Sequence, residues 1–337
     1  MDPLTQGVIG SLAARTVVGR KRKKTLAVAV LGGLSALTPD LDVLIKSSTD
    51  HLLFLEYHRQ FTHSLLFVPF GALLCTLVMW YLVRFKRICS FKICFFACFV
   101  GYATHGLIDA CTTYGTVLFW PFLNTRIAWS AISIIDPIFT LTIILGLILS
   151  IRRSSILVAH LSVLFIFLYL SFGVYQNHRV QAEVYQIATE RSHLPERVFV
   201  KPSFGNLVVW RTVYLYEDRF YVDAIRAGRK LTKIDGGSLR RFSINTLSAK
   251  ILIPPLQLYD LQRFNWFTNN MLGVSEFYPN RVQDVRYAML PNDLDSIWYL
   301  EFDQDEKDNK HLLFNTTRNN SWEKIRILLS MVFGRND

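Results

Sequence analysis

The sequence predicts an α-helical polytopic membrane bundle of five or six membrane segments, followed by a C-terminal extracytoplasmic α+β domain. Apolar residues make up 51% of the 337 residues, the mean hydropathy is +0.26, and long runs without charge recur in the first half of the chain. This composition is typical of membrane proteins and disfavours a soluble single domain. We expect residues 1–175 to form the membrane domain and residues 176–337 the extracytoplasmic domain.

Five apolar runs define the predicted membrane segments: residues 26–39, 63–83, 93–111, 134–151 and 155–175. Four of them approach the ~20 residues that a helix needs to cross ~30 Å of hydrocarbon. The run 26–39 is short, and Gly32 and Gly33 within it predict close packing against neighbouring helices. The weakly apolar stretch 4–18 is a candidate sixth segment.

Lysine and arginine collect in alternate loops, and this pattern predicts the orientation of the bundle. The basic residues are Arg20, Lys21, Arg22, Lys23 and Lys24, then Arg84, Lys86, Arg87 and Lys92, then Arg152 and Arg153. Loops 40–62 and 112–133 and the tail therefore face outward, which in a bacterial inner membrane means the periplasm. Because basic loops that meet anionic lipid account for much of the net charge of +11, the bilayer is the expected partner and no nucleic acid is expected.

The sequence predicts a small α+β domain for the tail, residues 176–337. Val180, Val184 and Ile187 at helical spacing predict an amphipathic helix over 176–191. A hairpin is predicted around Glu217-Asp218, because two β-rich runs flank this pair. The predicted strands are 207–216, 219–225, 283–289 and 297–303, and further helices are expected near 256–270 and 321–333. The tail histidines are scattered and expected at the surface, and they are His178, His193 and His311.

Six ionisable side chains fall at predicted outward ends of the apolar segments. His105 and Asp109 are four residues apart, which places both on one helix face, close enough to reach one ion. Ionisable residues inside a membrane are costly and usually functional. The other four are Asp40, Asp42, His58 and His63. Imidazole and carboxylate together suit Zn, Mn or Fe, so the sequence predicts a divalent metal site, with Zn favoured.

Each residue also has a structural interpretation. Asp136 before Pro137 is typical of helix capping. Asp40 and Asp42 are alternatively solvated loop acids, and His63 is alternatively a helix cap. His160, in the inner part of the last segment, is expected to be a hydrogen-bonded packing residue.

The chain resembles the YbcI/YdjM-like family of bacterial inner-membrane proteins that are described as metal-dependent hydrolases and associated with LexA. The resemblance covers roughly residues 1–175 and rests on MDPLTQG at the start, TPDLD at 38–42, HRQFTHS at 58–64, HGLIDACTTYGT at 105–116, WPF at 120–122 and IIDP at 134–137. The tail is similar in PSFGNLVVWR at 202–211. Relatives commonly carry His at the position of Gln6, so the resemblance supplies no ligand from the N-terminal segment.

The residues and the resemblance together predict a membrane-bound metal-dependent hydrolase that acts on a lipid-linked or envelope substrate, with a phosphoester favoured. The expected metal ligands are His63, His105 and Asp109, together with Asp40 and Asp42. The two aspartates complete the ligand set, hold a second ion, or orient the imidazoles. The expected catalytic residues are His58 as ligand or general acid, Arg59 as a substrate contact, and Asp42.

Several alternatives remain at this level. Arg59 is alternatively an anchor to lipid head groups, and Arg126 is a second candidate substrate contact. An ion- or proton-coupled transporter would use His105, Asp109 and Asp40 as a relay. A non-catalytic scaffold would use the membrane part only to anchor the tail.

Overall fold

The computed structural model describes residues 1–18, 24–82, 85–244, 253–274, 278, 280–301, 310–317 and 322–334. The basic cluster at 20–23, Arg84, and the ends of the tail elements predicted at 302–303 and 321 lie outside these residues. The chain forms two compact units. The N-terminal unit comprises Met1–Leu44, Tyr57–Tyr175 and Phe204–Asn206, and the C-terminal unit comprises Ile45–Glu56, Gln176–Ser203 and Leu207–Asp337.

The N-terminal half is helical. Its helices are α1 (Pro3–Val17), α2 (Thr25–Leu37), α3 (Leu53–Tyr57), α4 (Val68–Leu77), α5 (Phe91–Ala110), α6 (Pro137–Arg152) and α7 (Ile156–Glu190). Among the described residues, three helical stretches are long and apolar enough to cross a membrane: Thr25–Leu44, Phe91–Ala110 and Ile156–Glu190. A fourth is obtained if the bent pair Leu53–His63 and Val68–Tyr81 is one span. The structure thus supports three or four candidate spans. The five or six segments expected are not confirmed, because α1 and α6, with 15 and 16 residues, are shorter than the ~20 residues of a typical span.

The predicted run 63–83 is broken near its start. The two limbs of the bent pair meet at 86°, and α4 begins only at Val68, with Pro69 in its first turn. Proline has no N–H to donate and is tolerated in a helix mainly at the first turn, so it marks the start of α4. His63 therefore lies in a short 3-10 helix, Phe61–His63, before α4.

Glycines allow α1, α2 and α5 to pack backbone to backbone. A Cβ atom on Gly32 would lie 2.5 Å from the carbonyl oxygen of Gly10, and one on Gly101 would lie 2.1 Å from that of Gly32. The predicted close packing of the run 26–39 is confirmed. A Cβ atom on Gly106 would lie 2.2 Å from the carbonyl oxygen of His63. This glycine lets the turn that carries His63 approach the C-terminal end of α5.

The C-terminal unit contains two four-stranded antiparallel sheets, in the orders β1-β2-β3-β4 and β5-β6-β7-β8. The strands are β1 (Arg197–Pro202), β2 (Val209–Tyr216), β3 (Arg219–Ala227), β4 (Leu231–Arg240), β5 (Leu272–Val274), β6 (Arg281–Asp284), β7 (Trp298–Glu301) and β8 (Leu313–Thr316). The unit also contains the helices α8 (Pro255–Phe267) and α9 (Trp322–Phe333). The predicted hairpin is confirmed, since Tyr216 pairs with Arg219 across Glu217-Asp218.

The helix expected over 176–191 is the end of α7 rather than a separate element. Its predicted apolar positions Val180, Val184 and Ile187 are buried. Of the tail histidines, His178 is exposed as expected, and His193 and His311 are partly exposed. His193 stacks on Tyr216 with ring centroids 4.3 Å apart, and Nδ1 of His311 lies 3.0 Å from a carboxylate oxygen of Asp260.

Candidate metal centre

The structure brings four of the predicted ligands together in the N-terminal unit. Ligand atoms of Asp40, His63, His105 and Asp109, here called the four-residue cluster, all lie within 4.8 Å of one another. Asp40 lies in the 3-10 helix Pro39–Leu44 that follows α2, and His105 and Asp109 lie in the last turns of α5. The side chains of His63, His105 and Asp109 are fully buried, whereas that of Asp40 is 24% exposed.

The spacing of the four atoms suits a tetrahedral ion. Nε2 of His63 lies 2.9 Å from Nε2 of His105 and 3.4 Å from both Oδ1 of Asp40 and Oδ2 of Asp109. Nε2 of His105 lies 3.3 Å from the same Asp40 oxygen and 3.6 Å from the same Asp109 oxygen. Four ligands about 2.0–2.1 Å from a tetrahedral ion would be roughly 3.3 Å apart. The side chains already have approximately this separation.

Hydrogen bonds at the far side of each imidazole set its tautomer. Nδ1 of His105 donates to the carbonyl oxygen of Ala36. Nδ1 of His63 donates to the Thr62 hydroxyl over 2.9 Å, and that hydroxyl donates to Asp42 over 2.8 Å. A neutral imidazole with its proton on Nδ1 presents a lone pair at Nε2. The two Nε2 lone pairs therefore point toward each other.

Two buried carboxylate oxygens of the cluster are incompletely satisfied. Among the described residues, Oδ1 of Asp40 has no hydrogen-bond partner, and Oδ2 of Asp109 accepts no hydrogen bond although it lies 3.1 Å from Nε of Arg59. Buried polar atoms are normally paired, and an exception needs an explanation. Two lone-pair nitrogens and two anionic oxygens at this separation repel one another unless a cation or a shared proton lies between them. The donor set and its unpaired atoms therefore fit a divalent metal ion.

Asp42 lies behind the four-residue cluster. Its buried carboxylate accepts from Nδ1 of His58 over 2.7 Å, from the backbone N–H of Arg59 over 2.9 Å, and from the Thr62 hydroxyl. It lies 3.3 Å from Nδ1 of His63, on the side of the ring away from His105. Of the three roles that the sequence left open for the aspartates, this geometry favours orientation of the imidazoles by Asp42 and ligation by Asp40.

Arg59 is buried against Asp109. Its Nε lies 3.1 Å from Oδ2 of Asp109, and its guanidinium donates to the Thr112 hydroxyl over 3.2 Å and stacks 4.6 Å from the Tyr114 ring centroid. The residue is 5% exposed, so the interpretation of Arg59 as a lipid anchor is wrong. Its φ of 64° lies in the left-handed region, which is uncommon for a residue other than glycine and often occurs at functional sites.

Sequence reasoning missed two groups on the other oxygen of Asp109. The side chain of Gln6 is completely buried and donates to Oδ1 of Asp109 over 2.9 Å, and the backbone nitrogen of Met1 contacts the same oxygen. In the sequence, Gln6 stood out only as a departure from the family pattern. A polar residue in the weakly apolar stretch 4–18 was the available signal.

The remaining predicted residues lie outside the four-residue cluster. Arg126 donates to the carbonyl oxygen of His58 over 2.8 Å. Asp136 caps α6 by accepting from the N–H of Phe139, as predicted. His160 is hydrogen-bonded to its own helix, but it is exposed and therefore not a packing residue.

Comparisons with known proteins identify the N-terminal part of the chain. The family model described as YdjM inner membrane protein matches residues 1–180. No curated protein and no solved structure matches the chain. The matched region contains every residue of the four-residue cluster and more than half of the sequence, which confirms the resemblance drawn from the motifs. The chain belongs to the YdjM inner membrane protein family.

Proposed function

We propose that this protein is a membrane-bound metal-dependent hydrolase whose ion is held by the four-residue cluster. The observation that carries the proposal is the convergence of two imidazole nitrogens and two buried carboxylate oxygens, neither of which accepts a hydrogen bond from the described residues, at separations of 2.9–3.6 Å. Two imidazoles with two carboxylates suit Zn, Mn or Fe, and Zn is the preferred candidate. A bound Zn²⁺ ion supplies Lewis acidity and lowers the pKa of a coordinated water to about 7.

The chain's own residues provide the remaining functions of a hydrolytic site. Asp42 orients the rings of His58 and His63 through their Nδ1 atoms. Arg59 compensates the charge of Asp109 and fixes its carboxylate. Because Nδ1 of His58 donates to Asp42, its Nε2 is the atom available to take a proton from the attacking water and then to give that proton to the leaving group, as in other carboxylate-oriented imidazoles.

The exposure of the site supports approach of a substrate from one side. Asp40 is 24% exposed and His58 is 15% exposed, whereas His63, His105 and Asp109 are fully buried. A substrate thus reaches the site past Asp40 and His58. We propose a lipid-linked or envelope phosphoester, because the site belongs to an inner-membrane family and an imidazole acid would assist departure of an alkoxide. We further propose that this side and the C-terminal unit face the periplasm.

Metal content is the first test. Full-length protein purified in detergent is analysed by inductively coupled plasma mass spectrometry, with His63→Ala, Asp109→Asn and the control His160→Ala, which alters an exposed histidine of α7. We expect near-stoichiometric Zn, Mn or Fe in the parent and the control, and its loss in both site variants. Well-folded parent protein without metal after incubation with each ion would refute the proposal and favour a proton shared between the imidazoles, as a relay would require.

Hydrolysis is tested separately with His58→Gln. This variant is expected to retain the metal and to lose hydrolysis in a screen of lipid-linked and soluble phosphoesters. A protein that binds metal but hydrolyses none of these compounds, in detergent or in liposomes, would limit the function to metal binding.

A further inference from the structure

The segment between two site residues belongs to the other structural unit. Asp42 and His58 flank Ile45–Glu56, here called the clamp segment, which groups with the C-terminal unit, while Leu44 and Tyr57 on either side belong to the N-terminal unit. The segment ends two residues before His58, the partner of Asp42 in the imidazole–carboxylate pair. Its conformation therefore bears directly on that pair through the covalent chain.

A buried arginine of α8 holds the clamp segment by ion pairs. The guanidinium of Arg263 makes two parallel hydrogen bonds to Asp50, of 2.8 and 2.6 Å, and one of 2.7 Å to Asp260. It also lies 3.4 Å from Glu56. The side chains of Arg263 and Asp50 are 11% and 17% exposed, and that of Asp260 is fully buried. Bidentate pairs between arginine and carboxylate are strong and geometrically specific.

Apolar contacts secure the same segment. Leu52 and Leu55 are 2% and 4% exposed. The ring of Phe54 packs edge-on against Phe314 of β8 at 5.9 Å, and Phe314 packs in the same way against Phe264 of α8. Two buried leucines, the ring contact of Phe54 and a bidentate ion pair thus fix a segment of 12 residues that would otherwise be a free connection.

The carboxylates around Arg263 already have a cation. Asp50, Asp260 and His311 lie close enough to hold a metal ion, but Arg263 bonds both carboxylates. The second oxygen of Asp260 accepts from the backbone N–H of Leu312 over 2.7 Å. This Arg263 network, comprising Arg263, Asp50, Asp260 and His311, is therefore an arginine-centred ion-pair network that needs no metal.

We infer that the C-terminal unit positions the candidate metal centre by clamping the segment that joins Asp42 to His58. This inference rests on the proposed function, since it names a positioning role for Arg263 and Asp50 at the same site. Closing a flexible connection of this length costs conformational entropy, and the cost falls when the connection is held in place. The clamped segment delivers His58, Arg59 and Thr62 to the carboxylate of Asp42, which in turn orients His63.

Charge reversal tests the clamp. Arg263→Asp is compared in full-length protein with the exchanged pair Asp50→Arg/Arg263→Asp, which restores opposite charges. The control Arg281→Asp breaks an ion pair with Glu301 elsewhere in the C-terminal unit. Zn affinity is measured by competition with a chelator, and hydrogen exchange is measured over residues 45–63. We expect Arg263→Asp to weaken Zn binding about 10- to 100-fold, as for other groups that orient metal ligands, and to accelerate exchange.

The double variant Asp50→Arg/Arg263→Asp is expected to recover most of the Zn affinity and most of the protection from hydrogen exchange. The control Arg281→Asp is expected to change neither quantity. The inference would be overturned if Arg263→Asp changed neither the Zn affinity nor the hydrogen exchange. It would also be overturned if the double variant recovered neither the Zn affinity nor the protection from hydrogen exchange. If the parent protein binds no metal, the proposed function fails independently. In that case faster exchange of residues 57–63 in Arg263→Asp still supports the clamp, and unchanged exchange there still overturns it.

Discussion

Two of the groups of carboxylates and imidazoles whose ligand atoms lie within 4.8 Å of one another differ in how their charge is balanced. They are the four-residue cluster in the N-terminal unit and the Arg263 network in the C-terminal unit. In the Arg263 network an arginine lies between the carboxylates of Asp50 and Asp260 and bonds both. In the four-residue cluster, Arg59 lies against Asp109, and within the described part of the chain an oxygen of Asp40 has no donor. Proximity alone thus does not favour a metal site, whereas a buried acceptor without a donor does.

The largest expected difference between the two groups is metal stoichiometry. His63→Ala removes one of the four proposed ligands and is expected to abolish stoichiometric Zn at saturating metal. The matched variant His311→Ala removes the imidazole of the Arg263 network and is expected to leave stoichiometric Zn, because that network already contains a cation. The metal content of both purified proteins checks this contrast. Loss of one equivalent in His311→Ala would show that the C-terminal unit also holds an ion.

A smaller effect is expected at Asp42, whose contacts with His58 and His63 favour orientation of the imidazoles over ligation. Asp42→Asn is expected to lower Zn affinity about 10- to 100-fold while stoichiometry is recovered at excess metal. The control Asp235→Asn changes an aspartate of the C-terminal unit whose side chain is 76% exposed, and it is expected to have no effect. The Zn affinities of both variants are measured by competition with a chelator. Loss of stoichiometry in Asp42→Asn even at excess Zn would place Asp42 among the ligands.

The sequence predicted which residues gather in the four-residue cluster better than it predicted their roles. Ionisable groups are rare in apolar segments, so Asp109 and His105 stood out, and their helical spacing placed them on one face. Asp40 and Asp42 are two residues apart in one 3-10 helix, and nothing local distinguishes them. What distinguishes Asp42 from Asp40 is its hydrogen bonds with His58 and Thr62, and these depend on tertiary structure.

Elements of the fold that depend on local sequence were likewise easier to predict than those that depend on contacts between distant residues. The β2–β3 hairpin was predictable because its turn lies between two β-rich runs, whereas β4, with Gly236 and Gly237 among polar residues, resembles a loop. The clamp segment was placed with the membrane domain by its position in the chain. Asp50 and Arg263 are 213 positions apart, so no periodicity of the sequence could reveal their pairing.

Acid is expected to loosen the Arg263 network. Burial alone would raise the pKa of Asp50, but the hydrogen bonds from Arg263 outweigh burial and hold the pKa below its ordinary value. A carboxylate with a lowered pKa in the folded state contributes stability above its unfolded pKa of about 3.9, and this stability is lost as the pH falls through the folded pKa. The rate of backbone hydrogen exchange in the clamp segment, corrected for its intrinsic pH dependence, should therefore rise as the pH falls below about 4.

Asp50→Asn provides the comparison for this acid effect. Its amide does not titrate, so the variant is expected to exchange faster than the parent at neutral pH and to show a flatter response to acid. Parallel pH profiles of the two proteins would show that Asp50 is not the titrating group that fixes the clamp segment.

The smallest effect is expected at Thr62, whose hydroxyl links His63 to Asp42. Thr62→Val keeps the shape of the side chain and removes the hydroxyl, but Nδ1 of His63 still lies 3.3 Å from the Asp42 carboxylate. The direct contact takes over most of the orientation, so the loss is about 1 kcal/mol, or roughly fivefold in Zn affinity. Thr189→Val, at an exposed threonine of α7, serves as control. A loss as large as that of Asp42→Asn would mean that Asp42 acts on His63 through the Thr62 hydroxyl rather than directly.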